Sequence, residues 1–315
     1  MKRLILNCCI MAGVLAVIFI LTWFAPGQYP HDIAALINKR EMLVSKKPPR
    51  LLFFGGSSLL TLNSPEIEKR LNYSVCNMGL WGGLSTSRYL DEIKEYLRPG
   101  DAVVITQEYG ATLDPVFIDY INTNDDSKKF LFLMSPGRHI KEYCRNGDLF
   151  GAFKIMMQLC QMKTKSQIQN IVTFKFSKIK ESGYLYYTDE FNGNGDRLNS
   201  FKILRPLDST GKIFKPYDIK NHLFLNDFYN YAKKRNVKVL FYFSHFPIEE
   251  YRLNERLIRD WHLAMKKLLA FPILNEPSDF AFPREYFADT IYHLNDKGER
   301  VRTEMLIRML EKALL

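Results

Sequence analysis

Residues 50–58 read Arg-Leu-Leu-Phe-Phe-Gly-Gly-Ser-Ser. A short, continuous apolar run that stops at two glycines fits a strand buried on both faces, the strand type of a parallel sheet. Glycines at its carboxyl end allow a tight turn, and Ser57 and Ser58 then stand where open parallel sheets place binding and catalytic groups. A serine capping the next helix would give the same letters, so this stretch decides the fold before it decides any chemistry. The pattern repeats downstream. Pro65 behind Ser64 opens a short helix, PEIEKRL; SVCNMG (74–79) reads as a second strand; residues 84–97 are helical. Pro99-Gly100-Asp101 turns into a third strand, AVVITQEY (102–109). Much later, 222–236 is helical, KVLFYFSHF (238–246) is a strand, 248–269 is a helix and FPIL (271–274) is a last short strand. Residues 296–315 form an amphipathic terminal helix behind Asn295 as N-cap. Strands alternating with helices predict an α/β domain built on a parallel sheet.

The 315 residues are 47% hydrophobic and 25% charged, which excludes a disordered or fibrous chain. Leu4 to Phe24 is apolar apart from Asn7 and follows Lys2 and Arg3. Its length, at about 1.5 Å per residue, comes to about 31 Å, enough for a hydrocarbon core of about 30 Å. The cationic end favours a cytoplasmic N-terminus, with the main domain extracytoplasmic, in the periplasm or outside the cell. No small-x-small cleavage site follows, so residues 1–24 read as an uncleaved signal anchor; a cleaved signal peptide is the alternative. Residues 25–49 read as a juxtamembrane connector with a short helix near 32–43, and 50–315 as the main domain. Cys76, Cys144 and Cys160 lie beyond the anchor. A Cys144–Cys160 bridge and buried free thiols are both compatible with that compartment.

The middle of the chain, about 113–215, breaks the alternation and reads as an insertion. From Lys128 to Lys180 there are eleven Lys and Arg against Glu142 and Asp148, so this window carries 11 − 2 = +9 of the net +10. It is either a solvated basic face or a surface for anionic lipid or an acidic polymer. Nucleic acid is not an expected partner, because the compartment is wrong and no recognition motif is present. Asp189, Asn192, Asn194 and Asp196 alternate like Ca²⁺ ligands, but the loop lacks the rest of the EF-hand pattern and reads better as a turn. No cysteine pair has zinc spacing, and neither a metal nor a cofactor is expected. His245, in the Ser244-His245-Phe246-Pro247 stretch that follows a buried strand, reads as a structural histidine beside the cleft.

Near the C-terminus stands FADTIYHLNDKG, with Asp289 and His293 just ahead of the last helix. A serine nucleophile needs a base, and the base needs a carboxylate to fix its tautomer. Serine after the first strand and Asp/His in the last loop can meet at one edge of a parallel sheet.

The order FFGGSS, CNMGLWGG, GDAVVITQEYG, DTIYHLNDKG resembles the SGNH/GDSL hydrolase superfamily, and within it the membrane-anchored bacterial branch that modifies envelope polymers. The resemblance covers roughly 50–112 and 218–313. It implies a flavodoxin-like parallel-sheet sandwich with an N-terminal transmembrane helix and a basic insertion. It implies Ser57 as nucleophile, with Ser58 the alternative register, His293 as base and Asp289 as its carboxylate. The oxyanion would be held by the backbone N–H groups of Ser57 and Gly79. Three departures stand out. Gly56 replaces the usual aspartate, the third-block asparagine is absent, and Asp289 precedes His293 by four positions rather than three. At the third block the strand ends Gln107-Glu108-Tyr109; an ionised Glu108 would repel an oxyanion, so either Gln107 donates instead or the hole is incomplete. The implied activity is a serine esterase acting on acyl esters of a saccharide or envelope polymer. The alternatives are O-acyl transfer with an integral membrane acyl donor, and a non-catalytic polymer-binding or scaffold protein.

Overall fold

A computed structural model describes residues 2–24, 31–80, 86–109, 136–172, 191–198 and 219–314. In chain order the helices are α1 Lys2–Phe24, α2 His31–Ser45, α3 Ser64–Leu71, α4 Thr86–Ile93, α5 Pro136–Arg145, α6 Leu149–Val172, α7 Phe224–Lys233, α8 Ile248–Leu268 and α9 Asp296–Leu314. The strands are β1 Arg50–Phe54, β2 Ser74–Asn77, β3 Ala102–Gln107, β4 Lys238–Phe243, β5 Phe246–Pro247 and β6 Ala281–Phe282. The chain divides into two compact units, Met1–Ala34 with Lys128–Tyr186, and Ala35–Ser127 with Tyr187–Leu315.

The second unit holds a four-stranded sheet, order β2-β1-β3-β4, in which every neighbouring pair is parallel. All of β1 and β3 is buried, as their unbroken apolar runs require. One face packs Leu51, Phe53, Val104, Leu240 and Tyr242 against Leu59, Ile67 and the α9 side chains Leu306, Ile307 and Leu310. The FPIL segment is not a strand of its own. It meets β4 through one bridge at Ile273, with Pro272 accepting from the Phe241 N–H and Leu274 donating back to the Phe241 carbonyl. Proline has no N–H to extend that ladder. Helix α3 is capped by Asn63 rather than Ser64, its side chain accepting from the Glu66 N–H.

The compact unit starts at Ala35, ahead of the Arg50 boundary that apolar patterning suggests. The reason lies in α2, where Lys39, Met42 and Leu43 are buried. Arg50, at the start of β1, is buried too. Its Nη2 meets Asp101 Oδ2 at 2.5 Å and its Nε meets Oδ1 at 3.1 Å. The same guanidinium donates to the carbonyls of Tyr96, at 2.7 Å, and of Leu43. One ion pair thus ties β1 to the start of β3 and to the end of α2.

In the first unit, α1 packs on α6 at Phe19–Phe153, with ring centroids 6.2 Å apart. The described α1 side chains Leu6, Ile10, Val14 and Ile18 are exposed. Among the described residues no helix is long and apolar enough to cross a membrane. The side chains of α1 are described only in part. Cys144 and Cys160 do not form a bridge; the first is exposed and the second buried. Residues 25–30 of the connector and most of the 113–215 insertion lie outside the described residues.

Removing one partner of a buried ion pair strands the other charge, at a cost of about 3–5 kcal/mol. Asp101→Asn is therefore expected to lower the stability of the sheet unit by that amount in chemical denaturation. An Arg70→Ala change, which breaks only exposed pairs with Glu304 and Glu311, should shift it by about 1 kcal/mol or less.

Candidate active site

The strand order reverses between β1 and β3: the chain leaves β1 toward β2 on one side and returns to β3 on the other. Such a switch point leaves a crevice at the carboxyl ends of the two strands. Two residue sets emerge there, Gly55 to Ser58 after β1 and Glu108 and Tyr109 after β3.

The glycines are dictated by what faces them. A Cβ on Gly55 would stand 2.5 Å from Thr106 Cγ2, and one on Gly56 would stand 2.5–2.8 Å from the Glu108 carboxyl atoms. Thr106 and Glu108 thus share the side of the strand that faces the turn, and alternation sends Gln107 to the opposite side. Gln107 is buried, and no contact joins it to Ser57 among the described residues. Glu108, rather than the expected donor Gln107, is the side chain delivered to the serine.

Ser57 begins a single 3₁₀ turn, Ser57–Leu59. Its hydroxyl is half-buried and donates to Glu108 Oε1 at 3.2 Å, while the Ser58 N–H donates to the same oxygen at 2.6 Å. The Ser58 side chain is buried, which leaves Ser57 as the serine a ligand can reach. Glu108 is only 4% exposed. Burial pushes its carboxyl above the ordinary range, and the Ser58 N–H, the His293 charge and the two serine hydroxyls pull it down without cancelling that effect.

The loop ahead of α9 brings Asp289 and His293 together, with His293 Nδ1 2.8 Å from Asp289 Oδ1. Local structure absorbs the four-residue spacing. Phe287 and Leu294 form an antiparallel bridge, Ala288 N–H donates to the His293 carbonyl, and the Thr290 hydroxyl accepts from the N–H groups of Tyr292 and His293. Burial works to raise the Asp289 carboxyl, but the His293 hydrogen bond and charge outweigh it and hold it below the ordinary range. With Nδ1–H donated to Asp289, Nε2 is the basic nitrogen of the ring.

Three residues hold this loop and turn in place; the sequence reading marks His245 as structural and passes over Tyr292 and Arg302. His245 is fully buried and its Nε2–H meets the Tyr292 carbonyl at 2.7 Å. Burial, then the Arg302 charge, keeps this imidazole well below the usual histidine range, so it is a neutral donor. Tyr292 donates its hydroxyl to the Tyr109 carbonyl at 2.5 Å, tying the His293 loop to the end of β3. Arg302 of α9 donates to the carbonyls of Ser58, at 2.8 Å, and Thr61, at 2.9 Å. Its only sequence signal is a charge on the stripe that also carries Leu306 and Leu310.

Gly79 sits beside this turn, but its N–H donates to the side chain of Asn77 at 2.9 Å, so in this arrangement it is committed to a bond other than an oxyanion. Asn77 is fixed in turn by Asp196, 2.9 Å away, and its carbonyl accepts from the buried Lys39 Nζ at 2.7 Å. Burial pulls Lys39 down to about 7, against Asp196 and Cys76, which act to raise it. Asp196 also accepts from the Ser64 N–H and hydroxyl. Its carboxylate is thus used inside the protein, and Asn192 Oδ1 accepts from the N–H groups of Asn194 and Asp196 as in a tight turn. The loop is a structural turn; Asp189 lies outside the described residues. No group of three or more His, Cys, Asp or Glu fit to hold a metal occurs among the described residues.

No protein-family model matches this chain, and no curated protein does.

The two glycines differ in what a methyl group would meet. At Gly79 a Cβ would lie 2.4 Å from Leu59 Cβ and 3.2 Å from the Gly56 carbonyl, both fixed by the turn, whereas at Gly56 it meets the end of one side chain. Gly79→Ala should therefore destabilise the protein more than Gly56→Ala, by about 1–3 kcal/mol of overpacking, as read from denaturant midpoints.

Proposed function

We propose that the chain is a membrane-anchored, extracytoplasmic serine esterase that removes acyl groups from a saccharide or envelope polymer. The observation that carries this reading is the His293–Asp289 hydrogen bond in a loop tied by Tyr292 to the end of β3, the same strand end that delivers Glu108 to the half-buried Ser57. The coupling of the His293 charge to Glu108, the partner of the Ser57 hydroxyl, supports a single serine–histidine site. In this reading Ser57 Oγ attacks the acyl carbonyl, His293 Nε2 takes its proton and returns it to the leaving alcohol, and Asp289 stabilises the charged imidazole. Water then releases the acyl group. The anchor rests on the apolar length of residues 4–24, and the flavodoxin-like, SGNH-type assignment on the motif order and the β2-β1-β3-β4 parallel sheet.

O-acyl transfer uses the same serine and histidine with a sugar hydroxyl in place of water, and an integral membrane acyl donor would supply it. A second reading, a non-catalytic polymer-binding or scaffold protein, is favoured by one observation: the Gly79 N–H is bonded to Asn77.

The test uses the full chain in detergent micelles, p-nitrophenyl acetate turnover and covalent labelling by a fluorophosphonate. Ser57→Ala is expected to abolish both, Ser58→Ala to retain labelling, and His293→Ala to cut turnover about 10²–10⁴-fold. A folded wild type that neither turns over nor labels would overturn the esterase reading in favour of the scaffold.

A further inference from the structure

A serine site of this kind needs donors for the oxyanion, and two of the expected ones are out of place. Gln107 makes no hydrogen bond to Ser57 among the described residues, and the Gly79 N–H is held by Asn77. The side chain that lies against Ser57 is Glu108, seated over Gly56 where only the missing Cβ leaves room. We propose that Glu108 works as a neutral carboxylic acid whose O–H donates to the carbonyl oxygen of the ester that Ser57 attacks. This rests on the serine esterase reading and adds to it a third catalytic residue beside the serine and histidine.

The geometry supports the neutral form. Glu108 is buried, and no Lys or Arg forms an ion pair with it among the described residues. A buried carboxylate without a cation is costly, and protonation relieves that cost. The groups that face it are Ser57 and Ser58 on the turn after β1, His293 ahead of α9 and Tyr242 of β4, with Arg302 beyond Tyr242. The Arg302 guanidinium is already engaged by the Ser58 and Thr61 carbonyls. The Ser57 hydroxyl and the Ser58 N–H converge on Oε1, so the proton of the neutral acid belongs on Oε2. A neutral carboxyl kept as a donor in an apolar site is a known way of stabilising an oxyanion.

The step balances without Glu108 giving up its proton. The Ser57 O–H turns from Glu108 Oε1 to His293 Nε2 and gives up its proton there, the Ser57 Oγ–carbon bond forms, and the carbonyl π pair moves onto oxygen. Glu108 Oε2–H and the Ser57 N–H share the new negative charge. On collapse the carbon–oxygen bond to the leaving alcohol breaks and the alcohol takes the proton from His293. Such an acid works while it is protonated, so turnover should fall as pH rises through the ionisation of Glu108, and restoring a permanently neutral donor should remove that fall.

The experiment compares wild type, Glu108→Gln and Glu108→Ala as full chains in detergent, with two readouts. The first is the difference infrared spectrum of wild type against Glu108→Gln at neutral pH. A neutral-acid carbonyl band that titrates away at alkaline pH is expected, and a carboxylate at neutral pH would overturn the proposal whether or not the protein is an enzyme. The second is the pH profile of p-nitrophenyl acetate turnover. Glu108→Ala should lose about 10²–10³-fold, as removal of one oxyanion donor does elsewhere. Glu108→Gln should lose about tenfold or less and no longer decline on the alkaline side. If Glu108→Gln is as impaired as Glu108→Ala, the donor role is wrong and a carboxylate is what the site needs. Absence of turnover and labelling in wild type would instead remove the esterase reading and the donor role with it, while the infrared band still reports the protonation state.

Discussion

The buried pair between Arg50 and Asp101 is the constraint on which the sheet unit depends. Two charges with no exposed side-chain surface are stable there only because every polar atom has a partner, and those partners come from four places along the chain. The pair holds the amino ends of β1 and β3 in register and fastens α2 to them. Once those ends are fixed, the carboxyl ends five residues on are fixed as well, because extended strands leave little freedom in length or direction. Ser57 and Glu108 meet at one end of two strands that an ion pair clamps at the other.

At the carboxyl ends the determining feature is an absence of atoms. Gly56 has no side chain, and the space where its Cβ would stand is occupied by the Glu108 carboxyl from the end of β3. Seated on the start of the turn, it is shielded from water, which favours the protonated form, and the hydrogen bonds it accepts from the Ser58 N–H and the Ser57 hydroxyl pull the other way without cancelling that effect.

Much of the fold was legible in the sequence because buried parallel strands are written as continuous apolar runs. RLLFF, AVVITQEY and KVLFYFSHF each read as such a run, and strands occupy Arg50–Phe54, Ala102–Gln107 and Lys238–Phe243 of them. The terminal helix was equally plain, and Asn295 caps it as its position implied, accepting from the N–H groups of Lys297 and Gly298. The Asp289–His293 pair was legible from a motif, though the extra residue between them was resolved only by the Thr290 turn. What could not be read was long-range. Nothing around Lys39 announces that its ammonium ends on the carbonyls of Asn77 and Gly195, and nothing near Gly79 says that Asn77 takes its N–H. Gln107 and Glu108 are adjacent letters of opposite consequence, and only the strand's facing, set by contacts to Gly55 and Gly56, distinguishes them.

The most direct measurement is the structure of the full chain after reaction with a fluorophosphonate, whose phosphonyl oxygen occupies the position of an acyl oxyanion. The account predicts phosphorus bonded to Ser57 Oγ, with that oxygen within hydrogen-bond distance of the Glu108 carboxyl and the Ser57 N–H. A phosphonyl group on Ser58, or on Ser57 with its oxygen turned away from Glu108, would contradict it.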